Sequence, residues 1–396
     1  MDTLSEKECS AFFILLRSGL WERGPEDLSV FPLDIDEWKR LFLMACRQSV
    51  TGIMYRGICR LPDKFLPPET VLFKWVATAD MIEHRNLAMN RTIDGLVRLF
   101  SKHGAVAVLQ KGQGVASFYE KPLLRECGDI DFYFRSRKDS RRIIADLEKQ
   151  GCRVKRMSDG SFYYRWNGIV VEHHHRLFDI CNPFSARYLS KQVYKLGLGK
   201  VVLADASSDC EVAVPSPLLN LFLLNAHIMK HAVGWGIGLK QLCDMARACF
   251  CLYENVSSSE LDKIIRRIGL VRWSRLLYSF LVEYLGCPAE RIPSAGFSKC
   301  SARPLLDIVM AGGNMGQYGL NRSLSLDDGW KRKLRTSGSV KSPSNDSGKC
   351  EAAHGNCCKD GNPVSVCKGK TADGQLCAGS LSVGDGSTAA ENNKCS

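Results

Sequence analysis

Asp129 and Asp131, in the run Gly128-Asp129-Ile130-Asp131-Phe132-Tyr133-Phe134, stand two residues apart among alternating apolar residues. Side chains along a strand alternate between its faces, so both carboxylates project to one side while Ile130 and Phe132 pack on the other. Paired acids of this kind are suited to divalent cations, since Mg²⁺ takes carboxylate oxygens, waters and substrate phosphates. Ahead of them, the apolar run Ala105–Leu109 leads into Lys111-Gly112-Gln113-Gly114. Glycines there let backbone approach a phosphate, and a following helix N-terminus offers free N–H groups. The Gly-x4-Gly-Lys-Ser/Thr spacing of a Walker A loop is absent. A later run, Ile169-Val170-Val171-Glu172-His173-His174-His175, supplies a third acid on the face it shares with Val170 and His174. Turn, acid pair and third acid, in that order, suggest a two-metal site for nucleotidyl transfer. Two ions there neutralise a triphosphate and activate a hydroxyl. If the two strands are neighbours, Glu172 completes one metal site and helps deprotonate the incoming hydroxyl. Three acids within apolar strands are costly to bury unpaired, which favours a functional reading.

Other polar residues leave alternatives open. Arg125 could clamp a phosphate or pair with Glu126 or another surface acid. His174 could orient Glu172 or touch substrate, while His173 and His175 are expected to face the other way. His227 and His231 are four apart on an expected helix but lack a third ligand, so they read as core or surface histidines. Lys240 and Asp244, also four apart, fit a simple helix pair.

The elements that position these residues follow from hydrophobic period. Residues 1–104 read as helical, with one helix from about Asp36 to Cys59, a Pro-containing link over Leu61–Pro68, and a long helix from Glu69 to about His103. The period then moves toward two. Strands are expected at Ala105–Gln110, Asp129–Phe134, Cys152–Met157, Ser161–Trp166 and Gly168–His175, with helices at Gln113–Tyr119 and Ser136–Gln150. Asn167-Gly168 is a tight-hairpin signal, and Lys195–Val214 could add another hairpin. Helices return at Ser216–Val233, Leu239–Leu252, Ser258–Ile268, Val271–Leu285 and near Ala302–Met310. The expected class is α+β. A helical region (1–104) precedes a mixed-sheet core (105–215), and a second helical region (216–334) and a disordered tail (335–396) follow.

Composition sets outer bounds. The chain has 396 residues, 45% hydrophobic and 24% charged, with a formal net charge of +12 that favours an anionic partner without choosing one. No basic-aromatic groove of the nucleic-acid kind is evident, and the basic runs Arg135–Arg142 and Lys331–Arg335 read as solvated surface. The acidic N-terminus is not expected to act as a signal peptide, and the most apolar later stretch, Leu218–Leu224, is too short to span a bilayer. A cytoplasmic protein with no membrane partner is expected. Of 18 cysteines, those within helical patterns read as buried small hydrophobes of a reducing compartment. The tail from 335 has no Phe, Tyr or Trp, so disorder is its default. Its Cys350-x3-His354-x2-Cys357-Cys358 cluster matches no common zinc spacing.

Three segments together resemble a known family: Lys111-Gly112-Gln113-Gly114-Val115-Ala116, Pro122-x2-Arg125-x2-Gly128-Asp129-Ile130-Asp131, and Val171-Glu172-x-His174. They are similar to the uncharacterised nucleotidyltransferase family of the DNA polymerase β-like superfamily. Gly238-Leu239-Lys240-Gln241-Leu242-Cys243-Asp244 resembles a segment of the same family's helical region. The similarity covers about residues 10–330. It implies a small mixed sheet flanked by helices and metal-dependent transfer of a nucleoside monophosphate from an NTP. It also implies that Asp129, Asp131 and Glu172 are the three metal-binding carboxylates, for two Mg²⁺ or Mn²⁺ ions. Lys111, Gly112, Gln113 and Arg125 are then expected at the nucleotide, with His174 and Asp244 orienting groups or acceptor contacts and Asp244 lining the cleft between the sheet and the helical region. Gln113 departs from the superfamily's second small residue. The acceptor, a hydroxyl on a small molecule, protein or RNA, and the oligomeric state are not legible. A nucleotide-binding regulatory or toxin–antitoxin-type module with weak turnover is the alternative, and a nucleic-acid-binding protein is a third reading.

Overall fold

The alternating runs around Asp129 form the middle of a seven-stranded mixed sheet in the computed structural model. The structure describes residues 4–313 except 179, 181, 205–210 and 235. The tail from 335, its cysteine–histidine cluster and the Lys331–Arg335 run lie outside the described residues.

The chain enters through α1 (Glu6–Trp21), α2 (Ile35–Gln48), α3 (Thr51–Ile58) and α4 (Glu69–Lys102). The single helix expected over Asp36–Cys59 is two helices. Ser49 adopts a left-handed conformation (φ 53°) and its N–H closes α2 onto Ala45 and Cys46 carbonyls, so the chain turns before α3. That turn lets α3 lie backbone to backbone on α1. A methyl group on Gly19 would sit 1.8 Å from the Ile53 carbonyl oxygen, and one on Gly57 would sit 2.1 Å from that of Leu15. Only glycine allows that approach.

The sheet comprises β1 (Ala107–Leu109), β2 (Asp129–Phe134), β3 (Lys155–Arg156), β4 (Phe162–Trp166), β5 (Ile169–His174), β6 (Leu198–Val202) and β7 (Glu211–Pro215), in the order β3-β4-β5-β2-β1-β7-β6. Between β1 and β2 lies the one-turn helix α5 (Gln113–Ala116), shorter than the expected Gln113–Tyr119. Between β2 and β3 lies α6 (Arg137–Lys149). Strands β2 and β5 are parallel and adjacent, with Asp131 opposite Glu172 and Asp129 opposite Val170. The turn of the β6–β7 hairpin falls outside the described residues.

The two faces of β2 part as the period requires. Ile130, Phe132 and Phe134 pack with Ile143, Ile144 and Leu147 of α6 and with Leu96 and Phe100 of α4. The Phe100 ring meets Phe132 and Phe134 edge-on at 5.2 and 5.3 Å. Burying each such side chain contributes about 1.5–3 kcal/mol, which pins the register and therefore the acids. Helix α7 (Pro183–Leu196) was not expected; only Leu189 and Val193 of it are buried, so its apolar stripe is thin. The acid-bearing face looks toward α8 (Pro217–Gly234) and α9 (Leu239–Leu252), followed by α10 (Ser258–Arg267), α11 (Val271–Glu283) and α12 (Arg303–Gly312). Among the described residues, no helix is long and apolar enough to cross a membrane.

Candidate functional site

The register of β2 against β5 builds the site. Pairing Asp131 with Glu172 and Tyr133 with His174 places the two β5 side chains on the same face as the Asp pair. His174 Nε2 lies 2.8 Å from Asp131 Oδ1 and 3.3 Å from Glu172 Oε2. Lys111, at the end of β1, brings its Nζ to 3.0 Å from Asp131 Oδ2. Both oxygens of the central carboxylate thus meet a cation. Asp129 stands at the exposed end of β2, beside this group.

The charges respond to this packing. Burial alone would raise the Asp131 carboxyl, but Lys111 and the His174 hydrogen bond outweigh it and hold Asp131 far below the usual carboxylate range. Asp129 moves the other way, to about 6, because the cleft walls desolvate it and the Asp131 charge repels its own. Burial opposes charge on His174, yet its hydrogen bonds to Asp131 and Glu172 lift it to about 9. Lys111 is likewise raised: desolvation is outweighed by Asp131 and Asp129. A crowded trio of carboxylates is relieved by positive charge, and hard oxygen donors on adjacent strands suit a divalent cation. Among the described residues, the one group of His, Cys, Asp and Glu with ligand atoms mutually within 4.8 Å is Asp131, Glu172 and His174.

The site opens into a cleft of about 570 Å³ between the sheet and α8–α9. Lys111 and Gly112 line it on the sheet side, and His227, Lys230, His231 and Lys240 line it on the helical side. The two histidines, ring centroids 4.3 Å apart, are therefore cleft residues rather than generic core or surface positions. Burial first, and then Lys111, keeps both neutral; His231 is pushed down to about 4. Nothing in their spacing showed this, because the face of a helix that meets a cleft is decided by docking. Asp159 of the β3–β4 turn and His175 also reach the cleft. His175 packs its ring on Phe162, 5.6 Å between centroids, whereas His173 does turn into the core, where Tyr164 Oη and Ser140 Oγ meet its ring nitrogens at 2.9 and 3.3 Å.

Three of these residues have defined partners. Arg125 pairs with an acid, but with buried Asp244 rather than Glu126 or a surface acid, and both residues line the cleft. Its Nε and Nη2 donate to the two oxygens of Asp244 at 3.0 and 2.5 Å, in full burial. Asp244 in turn accepts from Tyr119 Oη at 2.8 Å, so it pins α9 to the turn before β2 and does not pair with Lys240. Gln113 is buried and spends its amide on Asn86 Oδ1 at 2.9 Å, away from the cleft. Glu126 instead accepts from the Thr51 N–H at 2.9 Å.

A family model described as uncharacterised nucleotidyltransferase matches residues 34–286. The chain belongs to that family. No curated protein and no solved structure matches it. The matched span of this nucleotidyltransferase-family chain runs from α2 to just beyond α11, so it holds both walls of the cleft. The mixed sheet flanked by helices agrees with the α+β class.

Proposed function

We propose that the protein is a metal-dependent nucleotidyltransferase that moves a nucleoside monophosphate from an NTP to a hydroxyl acceptor. One observation carries this reading: Glu172 lies opposite Asp131 on adjacent parallel strands, with Lys111 at 3.0 Å, in a cleft of about 570 Å³. Asp129 and Asp131 would hold two Mg²⁺ or Mn²⁺ ions and Glu172 would complete one of the sites. When bound, such ions neutralise the triphosphate and lower the pKa of the attacking hydroxyl.

The chain's own residues do the rest. Lys111 and Gly112 face the cleft where the triphosphate would lie. At Gly112 (φ +56°) the turn adopts a conformation that L side chains rarely take, and a Cβ there would press on Cys127 Sγ, so glycine lets the turn pass close to β2. Lys230 and Lys240 supply further positive charge on the helical wall. The acceptor oxygen forms a bond to the α-phosphorus while the bond to the β-phosphate bridging oxygen breaks, and pyrophosphate leaves. Glu172, half-buried in the cleft, would take the hydroxyl proton. Arg125 and Asp244, at the border of the cleft, act by holding α9 against the segment that leads into Asp129.

The test is direct. Purified protein with Mg²⁺ or Mn²⁺ and each α-labelled NTP should release pyrophosphate or transfer label to an acceptor pool. Asp129→Asn combined with Asp131→Asn should abolish that. Nucleotide binding without turnover, indifferent to both changes, would favour the regulatory-module reading instead.

A further inference from the structure

We propose that His174 is itself a metal ligand, which turns the inner site into a two-carboxylate, one-imidazole site that selects Mn²⁺ or Co²⁺ over Mg²⁺. The inference rests on reading the cleft as a metal centre. It concerns which ion the centre takes and through which atoms.

The tightest donor group in the cleft is not the three carboxylates. It is Asp131, Glu172 and His174, while Asp129 stands outside it at the exposed end of β2. His174 Nε2 is 2.8 Å from Asp131 Oδ1 and 3.3 Å from Glu172 Oε2. Neighbouring ligands of an octahedral ion with bonds of about 2.1 Å lie about 3.0 Å apart, and these separations bracket that value. The strand explains the convergence: Glu172 and His174 are two apart on β5, so period two puts both on the Asp131 side. Lys111 occupies the other Asp131 oxygen and so leaves Oδ1 as the one that faces the imidazole and the ion. Ligation uses the Nε2 lone pair, so the proton now shared with the carboxylates passes to solvent when an ion binds. A nitrogen donor shifts preference from Mg²⁺, which takes oxygen, toward first-row transition ions.

The experiment uses full-length protein, Mn²⁺, Co²⁺ and Mg²⁺, and no nucleotide. Pulsed electron paramagnetic resonance of bound Mn²⁺ should show coupling to a directly ligated imidazole nitrogen. Calorimetry should give Mn²⁺ and Co²⁺ at least roughly tenfold tighter binding than Mg²⁺. His174→Gln should abolish the nitrogen coupling and bring that ratio toward one, while His175→Gln keeps both. Wild-type Mn²⁺ bound without nitrogen coupling, failure to bind Mn²⁺, or coupling that survives His174→Gln would overturn the proposal. The wild-type spectrum decides even if a variant fails to fold. Pyrophosphate release separates this proposal from the reading beneath it. Turnover with an all-oxygen Mn²⁺ signal removes only the His174 proposal. A nitrogen-coupled ion without turnover removes only the transferase.

Discussion

Asp131 and Asp244 are 7% and 3% exposed, and each meets a basic side chain and a second hydrogen-bond donor, yet their surroundings differ in kind. Asp244 borders the same cleft, but its oxygens are taken. Its partner Arg125 is 5% exposed and takes both carboxylate oxygens, and Tyr119 fills what remains. Asp131 has partners that can leave: the Lys111 and His174 side chains are 22% and 24% exposed and border the cleft. An ion can insert between an acid and a lysine or imidazole at the edge of a cavity, whereas a bidentate guanidinium and a phenol leave Asp244 little oxygen to share, although the pair borders the same cleft. The accessibility of the partner, rather than burial of the acid, separates an exchangeable site from a structural pin.

The sharpest way to break this contrast is to neutralise each acid in turn. Asp131→Asn should lower pyrophosphate release at least about a thousandfold, the scale for a group acting on reacting charge, with little change in the denaturation midpoint. Lys111 is left near Asp129 and Glu172, so its charge is still compensated. A midpoint that collapses in this variant would make Asp131 a second structural pin.

Asp244→Ala should behave in reverse. Removing one partner of a buried pair strands the Arg125 charge and costs about 3–5 kcal/mol in chemical denaturation. The double variant Arg125→Met with Asp244→Leu should recover most of that loss, since apolar replacement of both partners removes the stranded charge. If Asp244→Ala denatures like wild type but loses activity, the residue belongs to the cleft chemistry after all.

The helical wall extends the contrast to pH. His231 is pushed down to about 4, against an ordinary value of 6.5. Because the folded state resists its protonation, the stability tied to the neutral ring is complete above about pH 6.5. It is lost as pH falls from there toward 4, by up to roughly 3 kcal/mol. His231→Gln should flatten that part of the stability-versus-pH curve by a comparable amount. An unchanged slope would mean that the ring is not desolvated in the folded protein.

These effects show what was legible beforehand. The acids were readable because alternation and apolar neighbours fix both strand and face, and β2 (Asp129–Phe134) has the bounds that the pattern predicts. The helix Leu239–Leu252 was equally plain from its apolar stripe. Arg125 was not, because the choice between a phosphate and Asp244 depends on where α9 docks, more than a hundred residues later in the chain. The same applies to His227 and His231, whose i,i+4 spacing fixes a common face but not what that face meets. The α2–α3 break is not legible in sequence because Ser49 carries no side-chain signal for a left-handed turn, and the close α1–α3 crossing that requires it is tertiary.

The smallest expected effect tests the turn that carries Lys111. A methyl group on Gly112 would sit 2.9 Å from Cys127 Sγ, and its backbone stands at φ +56°, ψ −119°. Gly112→Ala therefore faces a backbone cost of about 1–3 kcal/mol and a contact that a modest shift of Cys127 can relieve. The two contributions separate. Cys127→Ala removes the sulfur, so the double variant should regain only the contact part and remain destabilised through the backbone. Thermal or chemical denaturation of the two single variants and the double reads this out as a cycle. Full recovery in the double variant would assign the glycine to packing against Cys127. Persistence of most of the loss would assign it to the turn, and thus to holding Lys111 within 3.0 Å of Asp131.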